Sequence, residues 1–152
     1  MKIRQADIKD LGAVRLAQLV AETKHAGQTD KAGKAYIGHP RTVASLVETD
    51  DEKTVAWLHD TVEDTDVTLD LLRRLGFSET VVAAVDAVTR RPGEDRQAYL
   101  ERVKADPIAR KVKLADLTHN ADLSRFDGVR PLTQKDLDRK EQYLREMAYL
   151  QA

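Results

Sequence analysis

The sequence predicts an all-helical protein, and three observations carry that prediction. Aromatic residues make up only 5% of the chain, while Ala, Leu, Glu, Lys and Arg dominate. Those residues give up little side-chain freedom in a helix. Runs of β-branched residues, the strand formers, are short. Apolar residues recur three and four positions apart in nearly every segment, which is the period of one helix face. A chain of 152 residues fits one ordinary domain. The expectation is therefore a single bundle over 1–152, with seven or eight helices.

The elements follow in order. Val14, Leu16, Leu19 and Val20 mark a first helix that ends around His25–Gly27. Val43, Ala44, Leu46 and Val47 mark a second after Pro40, Val55, Leu58 and Val62 a third, and Leu69, Leu71, Leu72 and Leu75 a fourth. Ser78 is suited to cap the helix carrying Val81, Val82, Val85 and Val88. Asp106–Pro107 joins an N-cap to a proline at the first helical position, opening a helix that runs to about Ser124. Thr133-x-x-Asp136 resembles a capping box, with Asp for the usual Glu or Gln, before a last helix with Leu137, Leu144, Met147 and Leu150. The four prolines and most of the seven glycines fall between these segments. One connection stands out. His25–Pro40 is polar and longer than the roughly 12–15 residues beyond which loops in compact domains are usually functional. The second, Phe126–Pro131, is shorter and says less.

Composition removes several classes of function. There is no cysteine, so disulfides, cysteine zinc sites, iron–sulfur clusters and thiol nucleophiles are excluded. Twenty-five basic residues face 26 acidic ones, which leaves no electrostatic footprint for nucleic acid. The opening MKIRQADIKDLG lacks a signal-peptide apolar run, and no stretch approaches the roughly 20 apolar residues of a membrane span. A cytoplasmic protein with no membrane partner is expected.

The chemistry concentrates in Trp57-Leu-His59-Asp60-Thr-Val-Glu63-Asp64. On a continuous helix, with about 100° per residue, His59, Asp60, Glu63 and Asp64 share one arc of about 140°. Leu58 and Val62 fall on the neighbouring stripe. Three carboxylates crowd there, with no cation between Lys53 and Arg73. Like charges at this spacing repel and call for a positive partner, for which a divalent metal is the natural candidate. Further ligands are at hand in His39, at the end of the long loop, and in Asp116 on another helix. His39, His59, Asp60 and Asp116 would offer two imidazoles and two carboxylates, a set suited to Mn²⁺, Fe²⁺, Co²⁺ or Zn²⁺. Lys113, Asp116 and Asn120 share a helix face. Lys31, Arg41 and Lys113 are candidates for phosphate contacts, with Lys34 better read as a solvated surface residue.

Each residue also has a plainer reading. His119 is expected to be a hydrogen-bonded core histidine, and Trp57, Leu58 and Val62 core packing. His25 fits equally a helix-end cation or a residue just behind the ligands. Asp66 and Asp70 read as acids favoured at a helix start. The stem of Lys113 suits the covering of apolar surface. Joint order and spacing favour the chemical reading.

The ordered motifs His25-x-Gly-Gln28, Lys31-x-Gly33-x-x-Tyr36-Ile-x-His39-Pro40, His59-Asp60-x-x-Glu63-Asp64-Thr65, Val88-Thr89 and Val112-Lys113-Leu-Ala-Asp116-x-x-His119-Asn120 resemble one family. It is the (p)ppGpp hydrolase branch of the RelA/SpoT family of HD-domain metal-dependent phosphohydrolases, over about Val14 to Leu150. The resemblance implies an HD-type helical bundle acting as a small stand-alone alarmone hydrolase. It implies one Mn²⁺ on His39, His59, Asp60 and Asp116, water activation by Glu63 and Asp64, and nucleotide contact by Asn120. The expected reaction takes (p)ppGpp to GDP or GTP plus pyrophosphate. Two positions depart from the family pattern: Asp30 stands where an arginine packs on guanine, and Leu117 follows the metal-binding aspartate in place of arginine. Asp30 cannot stack on a base as a guanidinium does. Two alternatives follow: the same centre acting on an adenine alarmone, NADPH or a nucleoside monophosphate, or a non-catalytic nucleotide-binding module.

Overall fold

The computed structural model describes residues 11–152, so most of the opening segment read above lies outside the described residues. Nine α-helical segments are present among the described residues: α1 (Ala13–Lys24), α2 (Gly38–Ser45), α3 (Asp50–Leu58), α4 (Thr61–Asp64), α5 (Leu69–Arg74), α6 (Glu79–Val88), α7 (Arg96–Ala105), α8 (Pro107–Ala121) and α9 (Gln134–Gln151). A 3-10 turn, Leu123–Phe126, joins α8 to α9. Among the described residues, β pairing is limited to one isolated bridge, Thr29 to Ala35, inside the long loop. The fold is all-α, as expected. None of its described helices is long and apolar enough to cross a membrane.

The caps read from the sequence form as expected. Ser78 accepts the Val81 N–H, and Asp106 accepts those of Ile108 and Ala109. Thr133 and Asp136 close a reciprocal capping box, and Thr49 and Glu52 close a second one ahead of α3. Each cap satisfies backbone donors that a helix start leaves open and is worth about 1 kcal/mol.

Three expectations on the elements need correcting. The third helix does not continue through Val62. It stops at Leu58, and the chain turns at His59–Asp60 before the single turn of α4. Side chains take the carbonyls that would have carried the helix on: His59 Nδ1 donates to Ala56 O (2.6 Å) and Thr61 Oγ1 to Leu58 O (2.8 Å). The helix opened by Pro107 likewise ends at Ala121 rather than about Ser124. Asp122 restarts the chain by capping Ser124. Helix α7 was not anticipated at all, because its buried Tyr99, Leu100 and Val103 are interleaved with four charged residues. These breaks raise the count from the expected seven or eight.

Helix α3 is the hub, with α1, α2, α6 and α8 packed around it. Val55, Ala56 and Leu58 are fully buried there, beside Val20, Val43, Val85 and Val112. Burying each such side chain contributes about 1.5–3 kcal/mol. On α9 the apolar pattern is only partly used. Leu150 is buried and Met147 packs against the core, but Leu137 and Leu144 are about half exposed. The hub position matters for the site, because it fixes the C-terminal end of α3, where His59 sits.

Candidate active site

Three rigid elements and one turn bring the expected metal ligands together. His39 comes from the first turn of α2 and His59 from the end of α3. Asp60 comes from the turn that follows, and Asp116 from the middle of α8. His39 Nε2 lies 2.8 Å from Asp116 Oδ1 and 3.9 Å from Asp60 Oδ2. His59 Nε2 lies 3.2 Å from Asp60 Oδ2 and 3.4 Å from Asp116 Oδ1. His39, His59 and Asp116 are buried, and Asp60 is nearly so. The donor atoms of His39, His59 and Asp60 fall within 4.8 Å of one another.

The protonation pattern shows what this cluster lacks. His59 donates its Nδ1 proton to the Ala56 carbonyl, so the neutral ring carries a bare lone pair on Nε2. That atom is buried, has no hydrogen-bond partner and faces two carboxylate oxygens. Lone pairs converging on lone pairs repel, and a cation among them turns the repulsion into coordination. The carboxylates carry the same signal. Burial, then Asp116, pushes the Asp60 carboxyl well above its usual range, although Lys113 opposes this. Burial also works against ionised Asp116, but the Lys113 ammonium, and after it His39, hold its carboxyl well below that range. The four residues therefore fit one divalent ion.

A supporting layer surrounds them. His39 Nδ1 and His119 Nδ1 are 2.7 Å apart and share a hydrogen bond, which orients His39 from behind. His119 is hydrogen-bonded, as expected, but it is half-buried beside the cluster and not in the core. Its spacing of three from Asp116 was the available signal. Tyr36 donates its hydroxyl proton to Asp60, and Asn120 donates to Asp116 Oδ1 (3.1 Å). Lys113 Nζ lies 2.8 Å from Asp116 Oδ2 and over the Tyr99 ring. His25 is buried. Its Nδ1 meets Gln28 Oε1 at 2.8 Å, and Gln28 in turn donates to the Asp64 carbonyl at 3.1 Å.

The cluster opens into a cavity of about 480 Å³ that also presents Glu63, Asp64, Lys31 and Asn120. Glu63 Oε1 accepts the Arg90 backbone N–H at 2.6 Å, which fixes its carboxylate at the end of α6. Arg90, Arg96, Arg125 and Tyr143 line the same cavity and had no signal in the spacing of the motifs. Arg41 does not reach it. Two residues beyond His39 on α2 is a rotation of about 200°, and Arg41 is exposed on the opposite side. Asp30 lines the cavity, yet its Oδ1 accepts the Ala32 and Lys34 N–H groups (2.8 and 3.0 Å) and so builds the loop turn.

An all-helical bundle with a His/His/Asp/Asp cluster opening into a cavity of about 480 Å³ has the features of an HD-type domain. Comparison with known proteins agrees. No protein-family model matches the chain. The GTP pyrophosphokinase of Streptomyces coelicolor is 38% identical over 129 residues, 76% of this chain and 15% of that protein. The probable guanosine-3′,5′-bis(diphosphate) 3′-pyrophosphohydrolase of Synechocystis is 33% identical over 132 residues, 76% of this chain and 17% of that one. The bifunctional (p)ppGpp synthase/hydrolase SpoT of Escherichia coli is 31% identical over 142 residues, 84% of this chain and 20% of that one. A solved structure of a metazoan ortholog of SpoT superposes with a TM-score of 0.75, over 92% of this chain and 85% of that one, at 22% identity. Over three quarters or more of its length the chain is similar to one segment of these (p)ppGpp-synthesising and (p)ppGpp-hydrolysing proteins. It spans a fifth or less of the length of these curated relatives.

Proposed function

We propose that the chain is a metal-dependent phosphohydrolase that removes pyrophosphate from the 3′-diphosphate of guanosine 3′,5′-bis(diphosphate), leaving GDP, or GTP from the pentaphosphate. The bare, buried lone pair of His59 facing Asp60 and Asp116 beside an open cavity carries this reading. Relatives named as guanosine-3′,5′-bis(diphosphate) 3′-pyrophosphohydrolases support the substrate.

His39, His59, Asp60 and Asp116 would hold one divalent ion, Mn²⁺ on this reading, with His119 and Asn120 fixing two of the ligands. The ion supplies acidity to a water and polarises the phosphoryl group. Glu63 is the general base. Tied at one oxygen by Arg90, it takes the proton of the attacking water, with Asp64 assisting from the same wall. The water oxygen bonds to the phosphorus attached at the ribose 3′ position. The bond from that phosphorus to the 3′ oxygen breaks, and the 3′ oxygen leaves with a proton. Lys113 faces the developing charge, while Lys31 and Asn120 contact the nucleotide. Asp30 favours a second reading of the substrate, because a carboxylate occupied in a turn offers no stacking surface for guanine. The same chemistry then serves an adenine alarmone, NADPH or a nucleoside monophosphate.

The test is pyrophosphate release from ppGpp by metal-stripped protein with Mn²⁺ restored, with pppApp and phosphate release from NADPH in parallel. Mn²⁺-dependent release from ppGpp is expected. Turnover of another nucleotide instead would keep the mechanism and replace the substrate. Silence on all three with metal bound would leave a nucleotide-binding module.

A further inference from the structure

Six basic side chains line the cavity, and they divide according to what they touch. Arg96 is gripped by both oxygens of Glu146 (2.9 and 2.6 Å), Lys113 by Asp116, and Arg90 lies 3.6 Å from Glu63. These three are neutralised by the protein. The other three are not. Arg139 reaches Asp136 only at 3.9 Å, and Asp136 already accepts two bonds from Arg130 (2.7 and 3.0 Å). Lys31 and Arg125 have no hydrogen bond or ion pair among the described residues. The two groups also act on different neighbours. Lys113 bears on Asp60 and Asp116, whereas Arg125 bears on Lys31, His119 and Asp122.

Arg125 is the least expected of the three. It sits on the 3-10 turn that Asp122 caps, with its guanidinium carbon 5.4 Å from the centre of the Phe126 ring. Its Nε is buried and unpartnered. A partly buried guanidinium with no carboxylate at ion-pair distance among the described residues, lining one cavity with Lys31 and Arg139, is repulsive in the empty protein and attractive toward a polyanion. The crowding is felt at Lys31, whose pKa is lowered by burial and then by Arg139 and Arg125.

We infer that Arg125 anchors a phosphate of the substrate other than the one attacked, so that the site selects nucleotides phosphorylated at two positions. The inference rests on the hydrolase reading above and adds the residue that makes the second phosphate matter. Planar bidentate pairing with phosphate is what a guanidinium does best, and Asp30 leaves this side of the cavity without another arginine from the loop.

The test compares guanosine 3′,5′-bis(diphosphate) with guanosine 3′-diphosphate, which lacks the 5′ phosphates, on the Mn²⁺-loaded full chain and its R125Q and R125K variants. R125Q should raise KM for the doubly phosphorylated substrate about 10- to 100-fold, the scale of a lost charged hydrogen bond. Its kcat should stay within roughly twofold of the parent, and the substrate without 5′ phosphates should be unaffected, as uniform-binding loss requires. R125K, which keeps the charge, should fall between. An equal KM rise on both substrates, or none on either, would overturn the inference. If the parent turns over neither nucleotide, the hydrolase reading falls on its own. Calorimetric titration of parent and R125Q with the same two nucleotides then still decides whether Arg125 reads the second phosphate.

Discussion

Two polar clusters are built into the same helical frame, and they solve the problem of buried charge in opposite ways. In the first, Arg102 grips both oxygens of Glu94 (2.7 Å each) and also donates to the Asp86 and Thr89 carbonyls, while Arg96 grips both oxygens of Glu146. Every acceptor there meets a donor. In the second, His39, His59, Asp60 and Asp116 bring carboxylates and a lone pair together with Lys113 as the one neighbouring ammonium. The first cluster is complete within the chain and serves the fold. The second is complete only with an added cation, and that incompleteness distinguishes a site from a brace.

Breaking the second cluster gives the largest expected effect. D60N removes a ligand and a charge while keeping the side-chain shape. Turnover should fall at least about a thousandfold, because the acidity supplied by the ion is lost with it. The stability of the metal-free variant should not fall and is expected to rise, since burial and Asp116 already disfavour the ionised Asp60 carboxyl. For the parent, Mn²⁺ at a hundredfold excess over its Kd should add about 2.7 kcal/mol of stability. Thermal melts of D60N with and without Mn²⁺ should show that increment abolished. An intact increment would remove Asp60 from the ligand set.

The contrast also explains what was legible in the sequence. Caps are local, and Ser78, Asp106 and Thr133 were readable because each acts within three residues. The proposed ligands were readable for a similar reason: residue types suited to a divalent ion stand in ordered motifs, and the fold brings them within a few ångströms of one another. The angular argument for His59, Asp60, Glu63 and Asp64 reached four residues that line one cavity, through a helix that is in fact broken. A turn closed by the His59 and Thr61 side chains keeps the residues adjacent, whichever backbone joins them. Arg41 failed because a basic residue near a ligand was taken for one facing the cavity. Arg90, Arg125 and the α7 residues escaped notice because their roles come from contacts distant in sequence, such as Arg90 with Glu63 and Arg96 with Glu146.

Breaking the first cluster should affect the fold and spare the site. Glu146 is buried, and E146Q keeps its shape but loses the charge that Arg96 pairs with. A lost charged hydrogen-bond pair costs about 1.5–3 kcal/mol, which lowers Tm by roughly 3–12 °C in a domain of this size. The Mn²⁺ increment in the same melts should persist, because Arg96 contacts none of the four ligands. Loss of the increment would mean that the two clusters are one unit.

The smallest effect is a change of slope. The Arg102 guanidinium, hydrogen-bonded to Glu94, holds its carboxyl down at about 2, against an ordinary 4.5. A folded-state pKa below the unfolded one means that the unfolded chain takes up the proton first as the pH drops. The stabilisation from this pair is therefore fully present above about pH 5 and is lost as pH falls from about 4.5 toward 2. E94Q cannot titrate, so its stability should depend less steeply on pH across that window, and the parent and variant curves should converge at the acid end. Urea melts at half-unit steps between pH 5 and pH 2.5 would record both slopes. Parallel curves would show that Arg102 holds the Thr89–Asp95 connection through its bonds to the Asp86 and Thr89 carbonyls, and that the Glu94 charge adds nothing to the brace.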